Sequence, residues 1–159
     1  MDVELGKKFE AHLRENWKSS VPDSFLYRLN DQMSGYMGST NVSDFIGYKK
    51  PNLFLIECKA HAGNTFPFSA FRQYDGLVQY SNIPGVHAGV ILWMYDHDKV
   101  IWIPIQTFME LKSEGKKSFN IKLLESNDYE YLVLPSKKLR TFMDTDYSEL
   151  INYYEVRND

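Results

Sequence analysis

Asp44, Glu57 and Lys59 are the residues of this chain whose types and spacing suit hydrolytic chemistry. Residues two apart on a strand share a face, so Glu57 and Lys59 point together while Cys58 points away. Lys49-Lys50-Pro51-Asn52 reads as a hairpin turn between strands at Val42–Tyr48 and Leu53–Lys59. A symmetric hairpin centred between Lys50 and Pro51 sets Asp44 directly across from Glu57, and cross-strand neighbours have Cβ atoms about 4.5–5.5 Å apart. A one-residue slip would turn Asp44 to the other face. Two carboxylates that close repel each other unless a cation stands between them. A hard divalent cation such as Mg²⁺ takes oxygen ligands, commonly one or two carboxylates with water and phosphate. Lys59 supplies positive charge beside it without occupying the metal. Such a trio can activate and position water and stabilise the charge that builds on a phosphodiester during in-line attack.

A Glu-x-Lys pair on a strand is common by chance, and an acid–lysine trio on a sheet surface is more often a solvated ion pair. The apolar run Leu53-Phe54-Leu55-Ile56 leads straight into Glu57 and favours the functional reading, because charge at the end of a buried strand is costly. Lys49 and Lys50 at the hairpin tip, Arg72, and Lys112, Lys116 and Lys117 are candidate phosphate contacts, with Arg72 preferred and a solubilising surface as the competing reading. His12, His61, His87 and His97 have no ligand spacing and read as helix-surface, rim, strand and turn residues. Cys58 reads as a small core residue, and Asp96 and Asp98 as turn residues. Tyr147, Tyr153 and Tyr154 suit a subunit interface.

The elements that must hold this group follow from periodicity. Leu5, Phe9, Leu13 and Trp17, four apart, predict an amphipathic helix over 3–17. A short strand at Phe25–Leu29 follows Pro22, and Asn30 to Asn41, rich in Gly, Ser, Asn and Met, reads as an exposed mobile loop. Ser69 is a candidate N-cap for a helix from Ala70 to Tyr80. His87–Tyr95 is a nearly continuous apolar run, as in a strand buried on both faces. A strand at Lys99–Pro104, a helix at Ile105–Glu114, a late strand at Asp128–Leu134 and a helix at Tyr147–Val156 complete the order. This is an α/β chain with a central mixed β-sheet flanked by helices, one domain over residues 1–159.

Composition narrows the class. The 159 residues suffice for a sizeable core, and 15% aromatic content excludes general disorder. One cysteine excludes an intrachain disulfide and a paired-cysteine zinc site, and suits a reducing cytoplasm. No apolar run approaches the roughly 18–20 residues of a membrane span, and the charged start MDVELGKKFEAHLREN lacks a signal peptide's apolar core. A soluble, cytoplasmic chain with no membrane partner and no nucleotide cofactor is expected. The net charge of −3, from 18 basic and 21 acidic residues, argues against binding nucleic acid through overall positive charge alone. Residues 1–80 balance nine against nine, so acids committed to metal would leave that half basic toward DNA.

Asp44…Glu57-Cys58-Lys59 resembles the PD-(D/E)xK nuclease core. More narrowly, GKKFE (6–10), SDFIG (43–47), FLIECKAH (54–61) and TFPFSAFR (65–72) resemble the RecU-type Holliday junction resolvases of Gram-positive bacteria and their phages. The resemblance implies a restriction-endonuclease-like core and a homodimeric, Mg²⁺-dependent endonuclease, with Mn²⁺ as a substitute, that cuts four-way DNA junctions in recombination and repair. It implies metal binding by Asp44 and Glu57, a catalytic Lys59, and a catalytic Glu10 that orients the attacking water. The family's helix glutamine has Asp75 as its ungapped counterpart, which shares a face with Phe71 if both are helical. Asp75 is therefore taken as the third metal ligand, with Gln73 as the alternative. Val42 stands where the family favours Thr. Residues 30–43 occupy the place of a stalk that inserts into the junction, with Met33, Tyr36 and Met37 available to pack at its centre, or else form an ordinary loop. Two other functions stay open: a restriction or repair nuclease acting on duplex DNA, and a catalytically silent DNA-binding accessory protein of recombination.

Overall fold

The computed structural model describes residues 3–30, 41–126 and 128–157. Met33, Tyr36, Met37 and most of the expected loop therefore lie outside the described residues. The chain begins with helix α1 (Val3–Ser20), whose four-residue stripe buries Phe9, Leu13 and Trp17. Strands β1 (Phe25–Arg28), β2 (Phe45–Lys49) and β3 (Asn52–His61) follow, then β4 (Thr65–Pro67) and a 3₁₀ turn at Phe68–Ala70. Helix α2 (Tyr74–Gln79), strands β5 (Val86–Met94) and β6 (Lys99–Pro104), and helix α3 (Ile105–Ser113) form the middle of the chain. The remainder is β7 (Ser118–Asn120), α4 (Ile121–Ser126), β8 (Leu132–Val133), β9 (Ser136–Lys138), β10 (Met143–Thr145) and α5 (Ser148–Arg157).

Six strands make one mixed sheet in the order β1-β2-β3-β5-β6-β8, with β3 and β5 parallel and the other pairs antiparallel. Helices cover it from both sides, the α/β architecture that the element order implies. Alternation along β3 divides the core. Phe54, Ile56 and Cys58 pack with Phe9, Leu13 and Trp17 of α1 and with Leu150 and Tyr154 of α5. Leu55 joins the opposite cluster, with Leu77 of α2, Phe108 and Leu111 of α3, and Phe66 and Phe119. The expected burial of the apolar run holds from Ala88 to Met94.

The sheet is tightest at Gly89. A β-carbon there would lie 2.5 Å from the carbonyl oxygen of Ile103 and 2.8 Å from the Trp102 ring. Because the nearest atom is main chain of the paired strand, relief requires β5 and β6 to separate. Gly89→Ala should cost about 2–4 kcal/mol, read as a fall in the denaturant midpoint at constant m-value.

Three expectations change. Ser69 caps no helix: it lies in the 3₁₀ turn, Phe71 is extended (φ −107°, ψ 91°), and α2 starts only at Tyr74 after Gln73. The reason is aromatic packing: Phe71, inside the expected helix, is drawn against the Phe108 ring beside Phe66 and Phe68, which reach the rings of Phe108 and Phe119. The late strand shrinks to Leu132–Val133, after Asp128 takes a left-handed turn (φ 56°) and Tyr129 turns into the core. Tyr147 and Tyr154 are core residues, not interface residues: Tyr147 packs on Trp17, and Tyr154 stacks on His87 and accepts a bond from the Trp102 indole. Burial pulls the His87 imidazole down to about 4. Among the described residues no helix is long and apolar enough to cross a membrane.

Candidate active site

The hairpin fixes the site. β2 and β3 pair from Lys49↔Asn52 to Phe45↔Ile56, the symmetric register centred between Lys50 and Pro51. The next position is Asp44 against Glu57. Asp44 is held by main chain on both sides: its carbonyl accepts from the Leu29 amide at 2.8 Å, and its Oδ2 accepts from the Cys58 amide at 2.9 Å. Glu57 is 1% exposed, and Lys59, two residues on, sets its Nζ 3.8 Å from Glu57 Oε1. The opposite face of β3 at this level is sealed by α1, with Cys58 inside the core.

The sequence reading missed Arg28. It is the last residue of β1, paired with Phe45, and its guanidinium lies 5.6 Å over that ring. From there it donates to both Glu10 oxygens, at 3.1 and 3.2 Å, and stands 3.9 Å from Asp44 Oδ1. It also donates to the Leu29 carbonyl. The available signal was one arginine closing an otherwise apolar strand in Phe25-Leu26-Tyr27-Arg28. Glu10 reaches the cluster through this ion pair, from the side of α1 next to β1.

Burial, reinforced by the adjoining Asp44 carboxylate, pushes the Glu57 carboxyl up to about 10, against the opposing pull of Lys59 and Arg28. With that proton in place, two cations (Arg28 and Lys59) balance two carboxylates (Glu10 and Asp44). Among the described residues no donor reaches the buried Glu57 Oε2, while the protonated carboxyl lies within hydrogen-bonding reach of Asp44. A carboxyl forced neutral, with an unsatisfied oxygen beside a second carboxylate, is a donor set that fits a hard divalent cation. Next to Asp44, the buried Ser43 hydroxyl donates to the Phe45 carbonyl at 2.7 Å.

The other expected site residues are not brought to this pair. Asp75 is exposed in the first turn of α2, and Phe71 lies outside that helix, so the two share no helical face. A β-carbon at the next residue, Gly76, would lie 3.8 Å from Val42, which sets α2 over the approach to β2. Among the described residues no three of Asp, Glu, His and Cys converge to hold a metal. Gln73 carries a buried side-chain oxygen that meets no hydrogen-bond partner among the described residues. Lys49 and Lys50 lie at the far end of the hairpin, about 20 Å from Asp44 along the strand, and Lys49 donates to the Pro22 carbonyl at 2.7 Å. Arg72 is exposed between the 3₁₀ turn and α2.

No protein-family model matches the chain, and no curated protein matches it. Among solved structures it is similar to Hjc, a Holliday junction resolvase from the archaeal hyperthermophile Archaeoglobus fulgidus. The match has a TM-score of 0.49 and 21% identity, and covers 64% of this chain and 78% of that one.

Proposed function

We propose that this chain is a divalent-metal-dependent DNA endonuclease with a restriction-endonuclease-like core. It cuts four-way junctions as a homodimer in recombination and repair. The observation that carries the proposal is the juxtaposition of Asp44 with a buried Glu57, two residues from Lys59 on the same strand face. The choice of junctions is supported by the four sequence segments similar to RecU-type resolvases, in matching order along residues 6–72.

In this reading Asp44 and Glu57 hold Mg²⁺ or Mn²⁺, which supplies Lewis-acid activation of water and charge neutralisation at the phosphodiester. Asp44 is oriented by the Cys58 amide before any ligand arrives. Glu57 would bind the cation as its carboxylate, its proton passing to solvent. Lys59 projects its ammonium to where negative charge grows on the phosphoryl oxygens, the interaction that is stronger in the transition state than in the ground state. Glu10 is a positioning residue: clasped by Arg28, it keeps the guanidinium beside Asp44. Asp75, or Gln73 in its place, would be the third metal ligand, from the start of α2. Arg72 contacts phosphates near the site, while Lys49 and Lys50 contact an arm of the junction about 20 Å away.

The test is cleavage of a labelled four-way junction and of linear duplex, in Mg²⁺ or in EDTA. Wild type should cut the junction at least about tenfold faster than duplex, and EDTA or Asp44→Asn should abolish cutting. Equal rates on both substrates would identify a duplex nuclease. Full activity in Asp44→Asn would end the metal assignment. Binding without any cutting, in Mg²⁺ and in Mn²⁺, would identify a silent DNA-binding protein.

A further inference from the structure

On the face turned away from α1, β1 and β2 carry exposed apolar side chains, which continue into Leu53 and Leu55 of β3 at the edge of the α2 packing. The register aligns Phe25, Tyr48, Leu53 and Val86 in one cross-strand row, and Tyr27, Ile46 and Leu55 in the next. The following row is Asp44 and Glu57, so this surface runs directly into the candidate active site. Phe25 is 51%, Tyr27 58% and Tyr48 37% exposed, with the Phe25 and Tyr48 rings stacked at 5.9 Å. Tyr80 (37%) and Ile83 (48%), following α2, extend the patch. Between these groups lies a pocket of about 240 Å³, lined by Val42, Leu53, Leu55, Tyr80 and Val86. No charged residue stands in either row.

Size points to the occupant. The five exposed side chains present on the order of 500 Å² of mostly apolar surface, at the upper end of what a lone chain keeps in water. Two such faces together bury on the order of 1,000–1,200 Å², enough for a specific interface and well short of an obligate one. The patch also holds both halves of a lock. Protruding aromatic rings and an apolar pocket able to receive one lie on the same face, the condition for an isologous two-fold contact.

We infer that a second copy of this chain covers this face, each copy placing the Phe25/Tyr27 edge of its sheet in the pocket between α2 and β3 of the other. The interface gives the proposed homodimer its surface and begins one row from the acids of each site. It is tested by mass rather than by cleavage, so it and the nuclease reading can fail separately.

Sedimentation equilibrium on the full chain at about 50 μM should give twice the 18.6 kDa chain mass. Tyr27→Glu places a charge on an exposed ring and should weaken self-association by at least about 100-fold with an unchanged circular dichroism spectrum. Val133→Glu, on the opposite edge strand β8 at 43% exposure, should leave the dimer intact. A monomeric wild type at that concentration overturns the inference. So does a dimer that survives Tyr27→Glu and Tyr80→Glu alike.

Discussion

Glu57→Gln should raise the melting temperature at pH 8 by several degrees, by removing a burial penalty that grows with pH. The same substitution should lower Mg²⁺-dependent cleavage by at least about 10³-fold. The folded chain keeps a proton on Glu57 up to about 10, whereas the unfolded chain releases it near the ordinary 4.5. Folding at neutral pH therefore takes up a proton, and the stability this group contributes is fully present below 4.5 and lost as pH rises toward 10. Glutamine keeps the shape and removes the titration. Thermal melts of both proteins from pH 5 to pH 9 should diverge steadily, with nearly equal values at the acid end. A difference independent of pH would refute the buried proton, and cleavage within tenfold of wild type would remove Glu57 from the site. Because a cation must displace the same proton, the Mg²⁺ concentration needed to stabilise wild type should fall about tenfold per pH unit between roughly pH 7 and 9.

The second large effect separates the two cations. Lys59→Met should cut the cleavage rate by about 10²–10³-fold with little change in melting temperature, because the ammonium acts on developing charge and holds no other element in place. Arg28→Met should instead destabilise the chain by about 2 kcal/mol, because the mostly buried Glu10 carboxylate loses both hydrogen bonds and Asp44 loses its nearest guanidinium. Single-turnover cleavage with parallel melts would show the contrast. Equal melting losses in the two variants would contradict the division of labour between catalysis and positioning.

The heart of the site was legible because it is local. The stretch from Asp44 to Lys59 is one hairpin, and a turn at Lys50-Pro51 decides which side chains face each other. The residues that support it come from farther away. Arg28 arrives through the pairing of β1 with β2 across a long connection, and Glu10 through the docking of α1 on the opposite face; no spacing along the chain reports either contact. Ser69 shows a different failure. Its side chain and the residues after it are consistent with a helix, but three phenylalanines nearby are drawn into an aromatic cluster assembled from α3 and β7, and tertiary packing overrides local preference. The later helix start removes the shared face of Phe71 and Asp75, since Phe71 stands outside α2. The same register that joins Asp44 to Glu57 sends Lys49 and Lys50, at the turn, to the other end of the strands. Tyr147 and Tyr154 look like surface aromatics from composition alone, and only the docking of α5 on the sheet buries them.

The Asp44 carboxylate is held by the nitrogen of residue 58, not by anything in the cysteine side chain. Its placement is thus inherited with the ladder itself, and position 58 is released to follow the demands of the core behind it. Alanine, valine or serine there would leave the donor untouched, and proline is the one residue that removes it. A geometry stored in the backbone can survive extensive divergence of the surrounding letters, so long as the two acids and the turn between them keep their distance along the chain.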